Sequence, residues 1–280
     1  MGKLTKAFEK SFPRKNQVES PGGRHLSVLD KISNQDFAKL GPVNTANSQA
    51  SWDERLQIST DPESQIFESF RRLRARLLYS EHQPRTILVT SVMPGEGKGF
   101  VCASLGVALS QDMEHQALML DCDFRRPSLA PLFGLSNEIG LVDYLQEDVD
   151  LSLLVRKTAQ PKLSLIPSGK PPKNPSELLS SGKMIGLISE LSEHYPDRMV
   201  LFDSPPNIVA SETSVLANYV DGLILVIRHG IAKKEQVKKF VETLDPDKIV
   251  GLVYNACPED KFTEFINKKM YYGYSRYKYY

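Results

Sequence analysis

The chain has 280 residues, enough for one large α/β domain with extensions. Its 35 lysines and arginines nearly balance 34 aspartates and glutamates, so a net charge of +1 argues against a nucleic-acid partner. The three cysteines are far apart in the sequence, which favours free thiols in a reducing compartment. No apolar run reaches the roughly 18–20 residues of a membrane span. We therefore expect a cytoplasmic protein.

Three regions follow from composition. Residues 1–60 are polar and interrupted by prolines and glycines, which predicts a flexible N-terminal extension. Residues 61–265 carry the apolar runs of a folded domain. Residues 266–280 lack apolar periodicity and form a separate tail.

The first predicted helix of the domain covers residues 62–81, with Asp61 as its N-cap. Glu68, Arg71 and Arg74 fall close to one face of this helix. That face is either a solvated surface with local ion pairs or a surface that pairs with a neighbouring subunit.

A phosphate-binding loop is predicted between residues 86 and 100. An apolar strand is followed by a glycine-rich turn, then Lys98, and then a helix. Glycines let backbone N–H groups close around an anion, the helix N-terminus favours negative charge, and Lys98 adds a mobile cation. The match is incomplete, because Gly99 stands where a Ser or Thr would bind Mg²⁺ and Val92 replaces the first glycine. A plain strand-to-helix turn is the alternative interpretation.

Two further apolar strands end in acids. Residues 117–120 lead into Asp121 and Asp123, with Arg125 close behind, and a later strand over residues 199–203 ends at Asp203. Ligands bind at the carboxyl ends of parallel strands, so these groups are candidates for holding a metal and phosphates. A charged loop that closes a βα turn is the alternative.

The remaining strands are predicted at residues 163–167, 222–227 and 249–254, with helical segments between them. Strands that alternate with helices predict an α/β fold with a mostly parallel sheet covered on both faces. Right-handed crossovers then place the acidic strand ends on one edge of that sheet.

The C-terminal tail is unusually rich in tyrosine. Three interpretations of this tail are open. Its interleaved aromatic and basic residues could stack on single-stranded nucleic acid, the tail could be a sticky disordered end, or its hydroxyls could accept phosphate. The six tyrosines are Tyr271, Tyr272, Tyr274, Tyr277, Tyr279 and Tyr280.

Taken together, these motifs resemble those of bacterial tyrosine kinases of the polysaccharide co-polymerase type. PGEGKG at 94–99 resembles their Walker A loop, LMLDCDFRRP at 118–127 their second nucleotide motif, and VLFDSPP at 200–206 their Walker B motif. ESFRRLR at 68–74 is similar to their oligomerisation motif, and the tyrosine tail to their autophosphorylation cluster.

The resemblance implies a P-loop NTPase-like three-layer sandwich that uses MgATP to phosphorylate its own tail in trans. It implies a ring-shaped homo-oligomer, a separate membrane chain-length-determinant protein that activates the kinase and recruits it to the membrane, and a tyrosine phosphatase. By this resemblance Asp121 and Asp203 hold Mg²⁺, and Lys98, Asp121, Asp123 and Asp203 are the catalytic residues. The implied nucleotide-binding residues are Pro94, Gly95, Glu96, Gly97, Lys98, Gly99, Phe100, Arg125 and Asn255.

Two other functions are compatible with the sequence. Gly99 favours a pseudokinase, a nucleotide-binding scaffold with impaired Mg²⁺ binding. A partitioning-type P-loop ATPase shares the predicted fold but lacks a tyrosine tail.

Overall fold

The computed structural model describes residues 48–80, 83–147, 149–194, 198–209 and 212–258. Most of the predicted N-terminal extension and the whole tyrosine tail lie outside the described residues. None of the described helices has both the length and the apolar character that a transmembrane span requires.

The described residues contain a single sheet of seven strands in the order β3-β4-β2-β5-β1-β6-β7. All neighbouring strands are parallel except the short β3, which runs antiparallel to β4 at one edge. This confirms the predicted, mostly parallel sheet. The strands are β1 (Thr86–Ser91), β2 (Gln116–Asp121), β3 (Arg156–Lys157), β4 (Leu163–Ile166), β5 (Arg198–Asp203), β6 (Gly222–Arg228) and β7 (Ile249–Asn255).

Helices cover the strands, and four short 3-10 turns also occur in the described residues. The helices are α1 (Glu54–Thr60), α2 (Gln65–Leu78), α3 (Lys98–Ser110), α4 (Leu129–Leu132), α5 (Leu141–Gln146), α6 (Pro175–Leu179), α7 (Gly182–His194), α8 (Glu212–Ala217) and α9 (Lys234–Val241).

The core lies on both faces of the sheet, because the central strands are apolar at consecutive positions. In β1, Ile87 and Val89 pack into a cluster with α1, α2 and α3, whereas Leu88 points the other way and is equally buried. The helix α3 lies directly on strands β1, β2 and β5. Most residues of α3 are buried and apolar, so the helix packs along the sheet, with its N-terminus at the ends of these strands.

Strand register brings the acidic ends together. Asp121 at the end of β2 lies opposite Asp203 at the end of β5, and Val89 of β1 lies opposite Asp203 on the other side. The sequence-predicted meeting of the loop and the acids at one sheet edge is therefore confirmed.

The N-terminal side of the domain differs from the prediction. The prediction of a single helix that starts at residue 62 with Asp61 as its N-cap is wrong. The chain instead forms α1 and then α2, whose N-cap is Ser64. Since Leu56 of α1 is buried in the core, part of the segment predicted as an extension is folded. The prediction also missed β3, which at two residues is too short for a pattern of alternation.

Candidate nucleotide site

The turn between β1 and α3 has the backbone of an anion-binding loop. Gly95 has φ = 82° and Gly97 has φ = 88°, values in the left-handed region that favours glycine. A Cβ atom on Gly97 would also overlap the side-chain amide of Asn255. That amide donates a hydrogen bond of 2.8 Å to the carbonyl oxygen of Glu96, so the end of β7 holds the turn in place.

The Glu96 side chain holds the turn in place through hydrogen bonds to the backbone. Its carboxylate is fully buried and accepts hydrogen bonds from the backbone N–H of Met93 at 2.7 Å and of Arg228 at 3.2 Å. The Arg228 guanidinium also donates to the carbonyl oxygen of Gly95 at 3.3 Å. The loop is therefore tied to the ends of both β6 and β7, a role of Glu96 that the sequence motif did not indicate.

Lys98 lies among the three acids at this edge. Its Nζ atom is 2.6 Å from Asp123 Oδ2 and 3.8 Å from Asp203 Oδ1, the second distance being longer than a hydrogen bond. The Lys98 side chain is 12% exposed, and those of Asp123 and Asp203 are 4% and 0% exposed. The predicted catalytic cluster is thus brought together, since Asp121 lies beside Asp203 in the sheet.

Burial and mutual repulsion dominate the electrostatics of these groups. Burial raises the pKa of Asp121, and the charge of Asp203 raises it further. Burial also raises the pKa of Asp203, although Lys98 opposes this shift. Burial alone would lower the pKa of Lys98, but the charges of Asp203 and Asp123 outweigh it and raise that pKa above its ordinary value. The lysine therefore stays charged and offsets the surplus of negative charge.

The two predicted Mg²⁺ ligands differ in how their oxygens are used. Asp121 Oδ2 accepts hydrogen bonds of 2.9 Å from the backbone N–H of both Ser128 and Leu129, and its Oδ1 accepts one of 3.2 Å from the N–H of Asp123. Asp203 Oδ1 is buried and has no hydrogen-bond partner among the described residues. This oxygen faces Lys98 Nζ at 3.8 Å without a hydrogen bond, so its lone pairs are available to a second cation.

Within the described residues, no three His, Cys, Asp or Glu side chains are grouped closely enough to hold a metal by themselves. Mg²⁺ typically takes one or two carboxylates and completes its shell with phosphate oxygens and water. The arrangement of Asp203 and Asp121 fits that pattern. Both carboxylates are fully buried, and Asp203 Oδ1 is the oxygen that accepts no hydrogen bond from the described residues.

A cavity of about 640 Å³ opens beside the cluster. Of the predicted nucleotide-binding residues, Pro94, Gly95, Gly97, Lys98, Gly99, Phe100 and Arg125 line it, together with Asp123. Glu96 and Asn255 support the loop from outside this lining. The Asn255 amide oxygen also accepts from the backbone N–H of Ala256 at 2.8 Å. The role of Asn255 in binding the nucleotide stays a prediction.

The cavity lining includes residues that the sequence reasoning did not select. Asp53 and Arg55 come from the start of α1 and form a forked ion pair, with Arg55 Nε 2.8 Å and Nη2 2.9 Å from the carboxylate. Ser128 comes from the turn after β2. A signal for α1 was present in Asp53, an N-cap residue whose side chain accepts from the N–H of Arg55, followed by the acidic Glu54 in the first turn.

The residues predicted for oligomerisation have different surroundings. Glu68 and Arg71 form an exposed ion pair of 3.1 Å on the outer side of α2. Arg74 instead donates a hydrogen bond of 2.9 Å to the carbonyl oxygen of Ala108, in the last turn of α3. Only the first two therefore present their charges mainly to the outside.

Comparison with known proteins identifies the family. No protein-family profile matches the chain. The tyrosine-protein kinase YwqD of Bacillus subtilis (strain 168) is 34% identical over 210 residues, which cover 74% of this chain and 87% of that protein. The chain belongs to the bacterial tyrosine-protein kinases.

Solved structures agree with this assignment. The chimerical protein CapA2B2 superposes with a TM-score of 0.67 at 27% identity, covering 81% of this chain and 100% of that chain. The kinase domain of the Escherichia coli tyrosine kinase ETK gives a TM-score of 0.65 at 26% identity, covering 83% and 89%. These neighbours confirm both the P-loop fold class and the family resemblance found in the sequence.

Proposed function

We propose that this chain is an ATP-dependent protein-tyrosine autokinase that regulates the polymerisation and export of exopolysaccharide or capsule. The observation that carries the proposal is the contact of Lys98 with Asp123 and Asp203 beside a loop with two left-handed glycines. This arrangement lies in a chain that is similar to YwqD over most of its length.

The loop and its lysine bind the nucleotide. Backbone N–H groups from Gly95 to Gly99 and the positive end of α3 attract the β- and γ-phosphates, and Lys98 adds a full charge. Mg²⁺, when bound, neutralises further negative charge on the phosphates. Asp203 offers it a buried oxygen, and Asp121 keeps the neighbouring turn in position through its three backbone hydrogen bonds.

Phosphoryl transfer joins the tyrosine oxygen to the γ-phosphorus and breaks the bond between that phosphorus and the β–γ bridging oxygen, which leaves as ADP. Asp123 is the group that accepts or orients the proton of the tyrosine hydroxyl, because it lies at the cavity next to Lys98. Lys98 balances the charge that develops on the phosphoryl oxygens.

The acceptors in this proposal are the tyrosines of residues 266–280, presented by a neighbouring subunit of a ring. A separate membrane protein activates the kinase, and a phosphatase resets it. The membrane association of the chain would then depend on that partner. These parts of the proposal rest on the family resemblance and on the tyrosine content of the tail.

Intact-mass measurement before and after incubation with MgATP tests the proposal. We expect mass increments of whole phosphates that are lost when the six tail tyrosines are changed to phenylalanine. Wild-type protein that gains no phosphate, alone or with the cytoplasmic segment of its membrane partner, would contradict the kinase function. That result would favour the second candidate, a nucleotide-binding scaffold, to which Gly99 points.

A further inference from the structure

The space next to Gly99 is already filled. Gly99 is buried in the first turn of α3, where the resembled loop motif carries a Ser or Thr. A Cβ atom on Gly99 would overlap Ser128 Oγ and would lie 3.1 Å from Ser128 Cβ and 3.0 Å from Asp203 Oδ2. The volume that a serine side chain at position 99 would use is therefore occupied by the hydroxymethyl group of Ser128.

Ser128 does not use its hydroxyl in the usual way. It is the N-cap residue of α4, a position where serine normally accepts a hydrogen bond from the helix backbone, yet no such bond is made. Its Oγ instead donates to Asp203 Oδ2 at 3.2 Å. The hydroxyl thus points away from its own helix and towards the Asp203 carboxylate. The other oxygen of that carboxylate, Oδ1, has no hydrogen-bond partner in the part of the chain that the structure describes.

The backbone holds Ser128 in this orientation. The N–H groups of Ser128 and Leu129 both donate to Asp121 Oδ2 at 2.9 Å, which fixes the turn after β2 against the end of its own strand. Ser128 also lines the cavity beside Lys98 and Gly99. Because the Ser128 proton is directed to Asp203, the lone pairs of Oγ remain available to a cation.

We propose that Ser128 supplies the metal-binding hydroxyl that Gly99 lacks. The oxygen donor has moved from the first turn of α3 to the turn after β2, about 29 residues further along the chain, and the glycine at position 99 makes room for it. This inference rests on the proposed MgATP site but not on phosphoryl transfer. Under this proposal Gly99 indicates that the hydroxyl ligand of the metal comes from another residue, and not that the ligand is missing.

The test measures how strongly Mg²⁺ tightens nucleotide binding. The full chain is titrated with a fluorescent ADP analogue in Mg²⁺ and in EDTA, and the metal effect is the ratio of the two dissociation constants. Ser128→Ala should reduce this ratio by about tenfold or more, as expected for loss of a metal-site group, while the constant in EDTA stays near the wild-type value. Ser128→Thr keeps a hydroxyl and should keep the ratio. Ser136→Ala, at an exposed serine, is the matched control.

An exchange variant separates a metal ligand from a packing residue. Gly99→Ser alone crowds Ser128 and should lower the melting temperature. Gly99→Ser combined with Ser128→Gly returns the hydroxyl to α3 and should restore the metal effect lost in Ser128→Gly. Restoration supports the proposal even where Ser128→Ala also lowers stability.

Two results would overturn the proposal. One is a metal effect in Ser128→Ala within about twofold of the wild-type ratio. The other is an exchange variant that folds but regains none of the effect. The kinase function is judged separately by intact mass, so a wild-type chain with a clear metal effect but no phosphotyrosine would reject the kinase proposal and leave this one standing.

Discussion

Replacing Glu96 by alanine should loosen the whole phosphate-binding turn. The carboxylate accepts from the N–H of Met93 at 2.7 Å and of Arg228 at 3.2 Å, and it is fully buried. Hydrogen bonds to a charged group contribute about 1.5–3 kcal/mol each when water is excluded. Because Arg228 is an exposed residue, water can replace part of its bond, and we expect a total loss of about 2–4 kcal/mol in the free energy of unfolding.

The assay is thermal unfolding of the Glu96→Ala variant, followed by titration with a fluorescent ADP analogue in EDTA. For a domain of this size each kcal/mol corresponds to roughly 2–4 °C, so a loss of about 2–4 kcal/mol should lower the melting temperature by about 4–16 °C. Nucleotide affinity should also fall, because the amide groups of the turn are no longer held towards one point. Glu63→Ala, which removes an exposed glutamate on the connection between α1 and α2, is the matched control.

A melting temperature within about 1 °C of the wild type, together with unchanged affinity, would refute this reasoning. It would mean that the bonds from Asn255 and Arg228 to the loop carbonyls are sufficient to hold the turn. A fall in stability with unchanged affinity would separate the packing of Glu96 from the shape of the anion site.

Three further predictions follow from the site and the helix packing. Lys98→Ala should lower tail phosphorylation at least about 100-fold by intact mass, and a smaller loss would remove Lys98 from the mechanism. Arg74→Ala should lower the free energy of unfolding, measured by chemical denaturation, by about 1–2 kcal/mol, because the hydrogen bond to the Ala108 carbonyl is lost. Arg71→Ala, at an exposed ion pair, should change it by no more than about 0.5 kcal/mol. Equal losses in the two variants would contradict this. In EDTA, raising the pH from the ordinary carboxyl pKa of 3.8 through about 6 should remove the stability that Asp203 contributes, because its raised pKa keeps it protonated longer in the folded than in the unfolded protein. Asp121, whose pKa is also raised, acts in the same direction. Asp203→Asn should flatten that dependence of the melting temperature on pH, and an unchanged slope would oppose it.

The placement of the acids at one sheet edge was predictable because it follows from local patterns and one topological rule. Apolar runs marked β2 and β5, and parallel strands carry their carboxyl ends to the same side. The pairing of β2 with β5 and the register that sets Asp121 opposite Asp203 were not predicted and come from the structure. Predictions of this kind succeed because each strand is buried on both faces and has a clear apolar sequence.

What the sequence did not reveal depends on contacts between distant segments. Gly99 predicted a missing hydroxyl, but only the fold shows that Ser128 fills the same space. The role of Glu96 was hidden for the same reason, since its partner Arg228 is 132 positions away. Helix α1 was missed because the polar composition of residues 1–60, interrupted by prolines and glycines, outweighed the two buried apolar residues Trp52 and Leu56.

The hydrogen bonds from the backbone of Ser128 and Leu129 to Asp121 affect the conformational cost of binding a ligand next to this turn. The turn between these residues is closed by hydrogen bonds within the chain. Fixing a residue's backbone costs about 1–2 kcal/mol of conformational entropy, and here that cost falls on folding. A nucleotide would enter a region whose backbone geometry is already set, so more of its contact energy is expressed as affinity and less is consumed in ordering the chain.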